Sequence, residues 1–403
     1  MDEKIPFMRR DLDFIQVQQG NQQMILIKDH LGLVKEGQAI APHLYQFMAL
    51  LDGTKSVRDL QMELMRQRGG VLVGSDEVHR LLARFDEFYL LDSDNFKLAR
   101  EKIAADFAAQ KVRPCSFCGR SYPQEQSELK KRLDEILASE PIPPKPEGRI
   151  TALVAPHIDL SIGTEVYASA YQQLKHAAPA RILLLGTGHR LMDDLFCISD
   201  KDFETPLGVV KNEPDLIQEL RESGKDVVAG DDFAHRSEHS IEFQVVFLQH
   251  LLGSESFTII PVLCGAIVPR LPSYEKNMYL EKAGTFLQKL KKVIDQDTLV
   301  LAGVDFCHIG LKFGHDMPAD YMENMAMTHD QQLLKHLSHM DTDHFWQESA
   351  NVQDRFNVCG FPALACMLEV MPPSKGEVLN YNMRHEKPTQ SAVSFAAVVF
   401  TGS

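Results

Sequence analysis

The sequence lacks any long uninterrupted apolar run. Its 403 residues are 44% hydrophobic and 24% charged. No window approaches the roughly 18 to 20 consecutive apolar residues that a membrane-spanning helix needs. The opening segment, MDEKIPFMRRDLDF, also lacks the apolar stretch of a secretory signal. We therefore expect a cytoplasmic protein that makes no membrane contact.

Positive charge is also in short supply. The chain has 42 Lys and Arg residues against 56 Asp and Glu residues, which gives a formal net charge of −14. Proteins that bind nucleic acid need basic side chains to neutralise the phosphates. We therefore expect no nucleic-acid partner, while the charge leaves the substrate open.

Cysteine is too scarce for a disulfide framework. The chain has seven cysteines, an odd number and an ordinary one for this length. Cys115 and Cys118 form one CxxC pair, but the second pair that a zinc ribbon requires is missing. The preceding AAQKVRP predicts a loop, whereas a thioredoxin-like pair follows a strand. We therefore assign this pair no metal or redox function.

The length predicts two domains, because 403 residues exceed one ordinary hydrophobic core. Residues 1–100 predict a small winged-helix-like domain, with paired strands over residues 21–37 followed by three short helices. The first helix is predicted to end at Gly53, and the next two to be capped by Ser56 and Ser75. Apolar residues at helical spacing form the predicted buried stripes of the last two helices: Leu60, Leu64, Val78, Leu82 and Phe85.

The larger domain is predicted to be α/β, with a mixed central sheet covered by helices, over residues 112–403. Short apolar runs typical of strands covered on both faces alternate with helical stretches. The runs cover 149–157, 181–189, 257–265 and 298–308, and the helical stretches cover 163–177, 240–253 and 277–295. Residues 101–111 are predicted to form a connector, as part of a helical stretch over 99–112. The proline-rich residues 140–149 are predicted to be an extended link to the larger domain.

Polar residues follow the apolar runs in a regular way. His157 and His189 each end one run, and Asp305 and His308 end a third. Ligands in open α/β sheets bind beyond the carboxyl ends of the strands, where loops converge. If these strands are neighbours, the imidazoles can meet at one point, as a metal site requires.

A second polar cluster lies in HRSEHSIEFQ. His235 and His239 are four residues apart, but Arg236 stands where the HExxH motif of zinc proteases has glutamate. Glu238 and His239 are therefore expected at the start of a helix, where they either stabilise that helix or reach into a pocket. His235 is expected to be a structural residue.

Six motifs in order resemble the Memo family, whose bacterial members include AmmeMemoRadiSam system protein B. The resemblance covers about residues 112–403, and its motifs are PH at 156–157, LLGTGH at 184–189, FETPLG at 203–208, EHSIEFQ at 238–244, DFCHIG at 305–310 and NVCGFPA at 357–363. The segment RPCSFCGRSYPQEQ resembles the opening stretch of the same family. Residues 12–98 resemble the PqqD-like domains, which implies peptide binding, and an accessory domain without that role is the alternative.

The Memo resemblance implies a fold similar to class III extradiol dioxygenases and a pocket that can bind a metal. The implied metal ligands are His157, His189 and Cys359. The remaining pocket residues that it implies are Asp305, Glu238, His239 and His308, the last as the acid or base. The first motif reads PHIDLSIG here, where many members read PHAGY, so Asp159 is an added carboxylate whose orientation stays open.

Two nitrogen ligands and a thiolate predict a divalent metal, with iron as the first expectation and zinc or copper as alternatives. The leading hypothesis is a metal-dependent oxidoreductase that acts on a small molecule or a peptide. A binding module without turnover and a metal-assisted hydrolase, with Glu238 or Asp305 as base, are the other two. Cys366 is expected to be a core residue. Gly360 is expected to let the backbone approach the site closely, because glycine has no side chain. The oligomeric state stays open.

Overall fold

The computed structural model describes residues 5–19, 22–191, 193–268 and 270–402. The chain divides into two compact units between Ala109 and Gln110. Residues 1–4, which the sequence places in the first domain, lie outside the described residues. Among the described residues, no helix combines the length and the apolar character that crossing a bilayer would require.

The described residues of the first unit form a three-stranded sheet and four helices. Strand β1 pairs antiparallel with β2, and β2 pairs with the short β3. The bounds of these elements are β1 Leu12–Gln19, β2 Gln22–Asp29, β3 Ala39–Ile40, α1 Pro42–Met48, α2 Val57–Gln67, α3 Ser75–Glu87 and α4 Asp94–Ala108. The small N-terminal sheet domain is therefore present. Helix α4 begins inside the predicted first domain and runs through most of the predicted connector at 101–111.

Of the two N-cap residues predicted in the first unit, Ser56 is confirmed and Ser75 is wrong. Ser56 caps α2 in a reciprocal capping box with Asp59. The N-cap of α3 is Gly74, and Ser75 is already its first helical residue. The prediction fails by one position because the Gly74 carbonyl already accepts the hydrogen bond from Glu77 N. The predicted apolar stripes are confirmed: Leu60, Leu64, Val78 and Phe85 are buried, and Leu82 packs against them.

The second unit is built on an eleven-stranded mixed sheet, counted over the described residues. Its main order is β12-β14-β5-β11-β6-β10-β9-β8-β4, with β13 on β14 and β7 on β10. The strands are β4 Val112–Arg113, β5 Arg149–Ala155, β6 Arg181–Thr187, β7 Phe196–Ile198, β8 Asp202–Thr205, β9 Gly208–Asn212, β10 Thr258–Cys264, β11 Thr298–Gly303, β12 His308–Gly310, β13 Lys375–Glu386 and β14 Ser391–Gly402. The predicted mixed α/β fold is thereby confirmed.

The four apolar runs of the sequence form the parallel centre of this sheet. They are β5, β11, β6 and β10, which lie side by side in that order. Successive side chains of a strand point to opposite faces, so Leu183 and Leu185 belong to one hydrophobic core while Ile182 and Leu184 belong to the other. Both faces are covered, which explains why these runs show no polar alternation.

Eight helices among the described residues cover the two faces. Helices α5, α6 and α8 contribute to one core, and α7, α9, α10, α11 and α12 contribute to the other. Their bounds are α5 Gln126–Leu137, α6 Thr164–Tyr171, α7 Pro214–Ser223, α8 His239–Leu252, α9 Lys276–Val293, α10 Glu323–Ser338, α11 Thr342–Val352 and α12 Phe361–Val370. The stretch predicted helical over 163–177 becomes a 3₁₀ turn at 172–176.

Two expectations about the start of the second unit are wrong. The proline-rich residues 140–149 do not link two domains, because α5, which precedes them, buries Leu129, Leu133 and Ile136 in the same core as β5. The segment AAQKVRP is not a simple loop, because its last part forms β4, which pairs with β8. Cys115 and Cys118, just beyond β4, form a disulfide.

Candidate metal centre at the strand ends

The sheet order brings the strand-end residues of the sequence to one edge. His157 lies two residues beyond β5, His189 lies two beyond β6, and Asp305 lies two beyond β11. Strand β11 lies between β5 and β6, and all three run parallel. Their carboxyl ends therefore open onto one pocket, as expected for an α/β sheet.

His157 is held so that one ring nitrogen is left for a ligand. Its Nδ1 lies 3.0 Å from the carbonyl oxygen of Gly303, to which it donates a hydrogen bond. The proton on Nδ1 leaves the lone pair on Nε2. That Nε2 lies 3.5 Å from Cys359 Sγ and 3.6 Å from Asp305 Oδ2. Burial lowers the pKa of His157 well below its ordinary value, so the imidazole is neutral.

His189 is oriented in the same way by a carboxylate. Its Nδ1 lies 3.0 Å and 3.1 Å from the two oxygens of Glu238. Its backbone N also donates to Glu238, at 3.1 Å. The Nε2 side of the ring is thus left for another partner, and the side chain is 34% exposed. His189 therefore lies at the mouth of the pocket, while His157 lies at its floor.

Glu238 links this pocket to the start of α8. As the N-cap residue, its carboxylate accepts hydrogen bonds from the backbone N of His239, at 2.8 Å, and of Ser240, at 3.0 Å. Burial acts to raise its pKa, but the neighbouring His189 and His239 outweigh burial and hold the pKa well below its ordinary value. One ionised carboxylate therefore both starts the helix and orients the ring of His189. Burial acts to lower the pKa of His189, but Glu238 and Cys359 outweigh burial and raise that pKa well above its ordinary value.

His239, the first residue of α8, completes a group of three imidazoles. Its ring stacks on that of His189, with centroids 4.9 Å apart and planes 15° apart, and meets the ring of His157 at 5.0 Å. One potential ligand atom from each of the three residues lies within 4.8 Å of the other two. Phe117 and Phe243 flank the His239 ring. The three residues form a donor group of the kind that binds a divalent metal.

Cys359 lies against this group because of the glycine that follows it. The backbone N of Gly360 donates to the carbonyl oxygen of Asp305 at 3.0 Å, and a Cβ at position 360 would lie only 2.5 Å from that oxygen. Glycine therefore permits the close approach, as the sequence suggested. Burial raises the pKa of the Cys359 thiol, although His189 acts against this. Cys366 is fully buried in α12, as expected of a core residue.

Asp305 occupies the floor of the pocket with one oxygen free of backbone contacts. Its Oδ1 accepts hydrogen bonds from the backbone N of His157, at 2.9 Å, and of Ile158, at 3.2 Å. Its Oδ2 points to His157 Nε2. Burial raises the pKa of Asp305 to about 7, despite these two hydrogen bonds. The carboxyl group can therefore hold or release a proton near neutral pH.

His308 is a neutral imidazole at the start of β12. Its Nδ1 lies 2.9 Å from the carbonyl oxygen of Phe306, and its ring meets Phe313 edge-on at 4.9 Å. Burial lowers its pKa to about 4, although hydrogen bonds with the backbone of Phe306 and Asn357 act in the other direction. At neutral pH the ring carries one proton, on Nδ1, and its Nε2 can accept another.

Sequence reasoning missed the buried ion pair that holds the α8 end of the pocket. Arg113 on β4 contacts Glu242 on α8 at 2.6 Å, and both side chains are fully buried. The same guanidinium donates to the carbonyl oxygens of His235, at 2.6 Å, and Glu238, at 2.7 Å. Glu242 also accepts from the backbone N of Phe117, at 2.8 Å. The CSFC segment is thus part of the wall that positions Glu238.

Two residues considered in the sequence lie outside the donor group. Asp159 accepts hydrogen bonds from the backbone N and Oγ of Ser161, so it stabilises its own loop. His235 is fully buried, and its Nε2 lies 3.0 Å from the carbonyl oxygen of Cys197. Burial lowers the pKa of His235 to about 4. Both residues have local structural partners, which agrees with the structural role expected for His235.

Comparison with known proteins points to one family. A family model described as Memo-like protein matches residues 113–399, which is most of the second unit. A MEMO1 family protein of Aquifex aeolicus is 28% identical over 384 residues, which cover 93% of this chain and 95% of that protein. The protein memo-1 homolog of Caenorhabditis elegans is 29% identical over 222 residues, or 54% of this chain and 59% of the homolog.

The relatives differ in how much of the chain they match. A MEMO1 family protein of Nitrosopumilus maritimus is 25% identical over 303 residues, which is 99% of its length but 72% of this chain. That share is about the size of the second unit. The Aquifex aeolicus match is too long to lie in the second unit alone. Similarity to the Aquifex aeolicus protein therefore extends into the first unit. The length matched by the Nitrosopumilus maritimus protein is accounted for by the second unit alone.

Proposed function

The chain belongs to the Memo-like protein family, and on that premise we propose that its second unit is a metal-dependent oxidoreductase of the non-haem iron type. The proposed ligands are His157, His189 and Cys359, with His239 within reach of a further position. The substrate is a small molecule or a peptide, and the first unit is proposed to recruit it if it is peptidic.

One observation supports the proposal most strongly. His157 and His189 each donate from Nδ1 to a fixed acceptor, a backbone carbonyl and the Glu238 carboxylate, so the Nε2 of each ring is turned away from that acceptor. Burial keeps His157 neutral, whereas at His189 burial is outweighed by Glu238 and Cys359, which raise the pKa of His189 well above its ordinary value. His189 would therefore have to release its Nε2 proton to bind a metal. Metal-binding histidines in proteins are oriented by the same kind of hydrogen bond from their second nitrogen. The thiol of Cys359 lies 3.5 Å from one of these Nε2 atoms. These donors fit a metal ion.

The donor set also bears on which metal is held. Two imidazoles suit iron, zinc and copper, and a thiolate favours the softer ions among them. Binding would require loss of the Cys359 proton, because the thiolate and not the thiol is the metal ligand. Iron is proposed because two nitrogens and one anionic donor resemble the facial ligand set of iron oxygenases, with sulfur in place of a carboxylate oxygen. When bound, iron would supply electron transfer and activation of O₂.

The other residues of the pocket have proposed roles in binding and proton transfer. His308 is the proposed acid or base, since its neutral ring can accept a proton from a substrate hydroxyl or amide. Asp305 is proposed to hold a proton at Oδ2, the oxygen that faces His157 rather than the backbone. Glu238 is proposed to keep His189 oriented. His239, with Phe117 and Phe243 around it, is proposed to line the substrate side.

The test is iron reconstitution followed by O₂ uptake. The full chain is purified without oxygen, loaded with one equivalent of Fe²⁺, and mixed with air-saturated buffer that contains catechol as a reporter substrate. We expect O₂ consumption that requires Fe²⁺ and is lost in His157→Ala. Consumption that persists without iron, or that His157→Ala leaves unchanged, would refute the proposal. Undiminished peptide binding by His157→Ala and Cys359→Ala, with no bound metal, would instead favour a binding module.

Metal-assisted hydrolysis is the second candidate, and the grouping of His157, His189 and His239 favours it. Three histidines with an open position form one common donor set of catalytic zinc, and Asp305 or Glu238 would serve as base. The same preparation loaded with Zn²⁺ is assayed with p-nitrophenyl acetate. Hydrolysis that requires zinc, is lost in His239→Ala and survives Cys359→Ala would support this candidate over the oxidoreductase.

A further inference from the structure

We propose that the second unit has another metal site, on its surface at the turn between α10 and α11. His336, Asp341 and His344 form it, and it takes a first-row divalent transition metal such as Zn²⁺. It shares no residue with the strand-end pocket, so the proposal does not depend on the function proposed for that pocket.

The side chains converge on one oxygen atom. Asp341 Oδ2 lies 2.8 Å from His344 Nδ1 and 3.7 Å from His336 Nδ1. The two rings stack with centroids 5.3 Å apart and planes 17° apart. Potential ligand atoms of all three residues lie within 4.8 Å of one another. Donors about 2.0–2.1 Å from a tetrahedral zinc are about 3.3 Å apart, a spacing that lies between the two observed N–O distances.

The backbone fixes Asp341 relative to His336. The N–H of Asp341 donates to the carbonyl oxygen of His336 at 2.9 Å, and that of Met340 donates to Leu337 at 3.0 Å. These are the two hydrogen bonds of a Schellman motif, and Met340 supplies its left-handed residue with φ of 53°. A donor at the end of α10 is therefore tied by main-chain hydrogen bonds to the residue that follows the turn.

The same aspartate then fixes His344. As the N-cap of α11, Asp341 accepts the backbone N–H of His344 on Oδ1, at 3.2 Å. The two oxygens of Asp341 therefore have different roles. Oδ1 caps the start of α11, and Oδ2 faces the two imidazoles. Three potential ligands are thus set by two consecutive backbone motifs within nine residues of chain.

The turn is also anchored to the rest of the unit. A methionine at positive φ is strained, and such a residue persists only where its surroundings hold it. Met340 packs partly buried against the hydrophobic core, and its Sδ accepts a hydrogen bond from the backbone N of Ser374 at 3.1 Å. The donors are therefore preorganised, which lowers the entropy that metal binding has to overcome.

The lysine that contacts this turn is already paired with carboxylates. Lys276 approaches the turn, but its ammonium contacts Asp343 at 2.8 Å and Glu369 at 3.6 Å. His339 in the same turn has its Nδ1 2.7 Å from the carbonyl oxygen of Lys335 and is not in the group. The side chain of His344 is 63% exposed, so water can fill the remaining positions of the ion. A bound ion would join the end of α10 to the start of α11.

The test counts Zn²⁺ ions by calorimetric titration of the full chain after removal of any affinity tag. Three variants are compared with the wild type: His344→Ala removes an exposed ligand, Asp341→Asn keeps a good N-cap but loses the anionic donor, and His339→Ala is the matched control. Thermal unfolding without metal confirms that each variant is folded. Zn²⁺ alone is the probe, so no knowledge of a physiological ligand is needed.

We expect the wild type and His339→Ala to bind one more Zn²⁺ than His344→Ala. Asp341→Asn should weaken the same site at least tenfold. Saturating Zn²⁺ should raise the melting temperature of the wild type more than that of His344→Ala, because an ion that binds only the folded chain stabilises it. Equal stoichiometry and affinity in the wild type, His344→Ala and Asp341→Asn would refute the site. Equal losses in His339→Ala and His344→Ala would also refute it, since binding would then follow surface histidine in general.

Discussion

Two histidine groups of the second unit each surround a carboxylate, but the backbone holds the two carboxylates differently. Glu238 Oε1 lies 3.0 Å from His189 Nδ1 and 3.2 Å from His239 Nδ1, and both Glu238 oxygens also accept backbone N–H groups. Asp341 Oδ2 faces the Nδ1 of His336 and His344, while its Oδ1 accepts the backbone N–H of His344. A carboxylate whose two oxygens are both held by the backbone orients its histidines, whereas one with an oxygen left to the imidazoles is itself a potential ligand. The backbone contacts of the carboxylate therefore matter as much as the number of histidines.

The two groups also differ in how the chain assembles them. The pocket brings together side chains from His157, just beyond β5, to Cys359, just before α12, and its α8 end depends on the buried pair of Arg113 and Glu242. The surface group needs only residues 336–344 and one anchored turn. A substitution that breaks a contact between residues far apart in the sequence should therefore weaken metal binding at the pocket and leave binding at the surface group unchanged.

The largest expected effect comes from Arg113→Ala. Removal of one partner leaves Glu242 charged and buried, and breaking such pairs costs about 3–5 kcal/mol. We expect the free energy of unfolding of the second unit to fall by that amount in urea titrations. Zn²⁺ binding to the pocket should weaken, and binding at the surface turn should not. The control is Lys289→Ala, which breaks the exposed pair with Glu219 and should cost no more than about 1 kcal/mol. Equal losses in the two variants would contradict the account.

The next effect is a pH dependence of the buried region around the pocket. The folded chain holds the pKa of His235 at about 4, below the value of about 6.5 in an unfolded chain. The unfolded state therefore binds the extra proton between these pH values, and stability that is complete above about pH 6.5 is lost as the pH falls toward 4. His235→Asn removes the titrating group and can still donate to Cys197.

The measurement compares the unfolding free energies of the wild type and His235→Asn across pH. Their difference should be constant above about pH 6.5. Below it, the wild type should lose about 1.4 kcal/mol per pH unit relative to the variant, and about 3 kcal/mol by pH 4. A difference that does not change between pH 7 and pH 4 would show that His235 is not held neutral.

A smaller effect separates the two carboxylates directly. Glu238→Gln keeps the side-chain shape but weakens the orientation of His189, and loss of such a partner typically lowers metal affinity about 10- to 100-fold. We expect it to weaken Zn²⁺ binding at the pocket alone, while Asp341→Asn weakens the surface site alone. Competition titrations with a chromogenic chelator report both affinities. If either variant weakened both sites equally, the two groups would not be independent.

The pocket was more predictable from the sequence than the elements that support it. His157, His189 and Asp305 follow apolar runs, and the rule that parallel strands end at one edge was enough to bring them together. The contact between Arg113 and Glu242 spans 129 residues and leaves no periodic signal, so it could not be predicted. The proline-rich residues 140–149 have the composition of a linker, and only the burial of Leu129 and Leu133 beside β5 shows otherwise.

The surface group illustrates a different limit. His336, Asp341 and His344 are close in the sequence, but their spacing of five and three residues fits no single helical face. The Schellman turn at Met340 brings them together, and a methionine gives no sequence signal for left-handed backbone, which glycine normally supplies. The predicted N-cap at Ser75 was wrong for a related reason, because Gly74 can begin a helix without a side chain.

The proposal that Cys359 completes a metal site with His157 and His189 can be tested by metal analysis of anaerobically purified protein. The wild type is compared with Cys359→Ala and with Cys366→Ala, which removes a core thiol seven residues further on. Each protein is reconstituted with Fe²⁺ and then freed of loosely bound ions. The wild type and Cys366→Ala should each retain about one iron per chain. His157→Ala and Cys359→Ala should both lack this iron. Undiminished iron in Cys359→Ala would contradict the proposal.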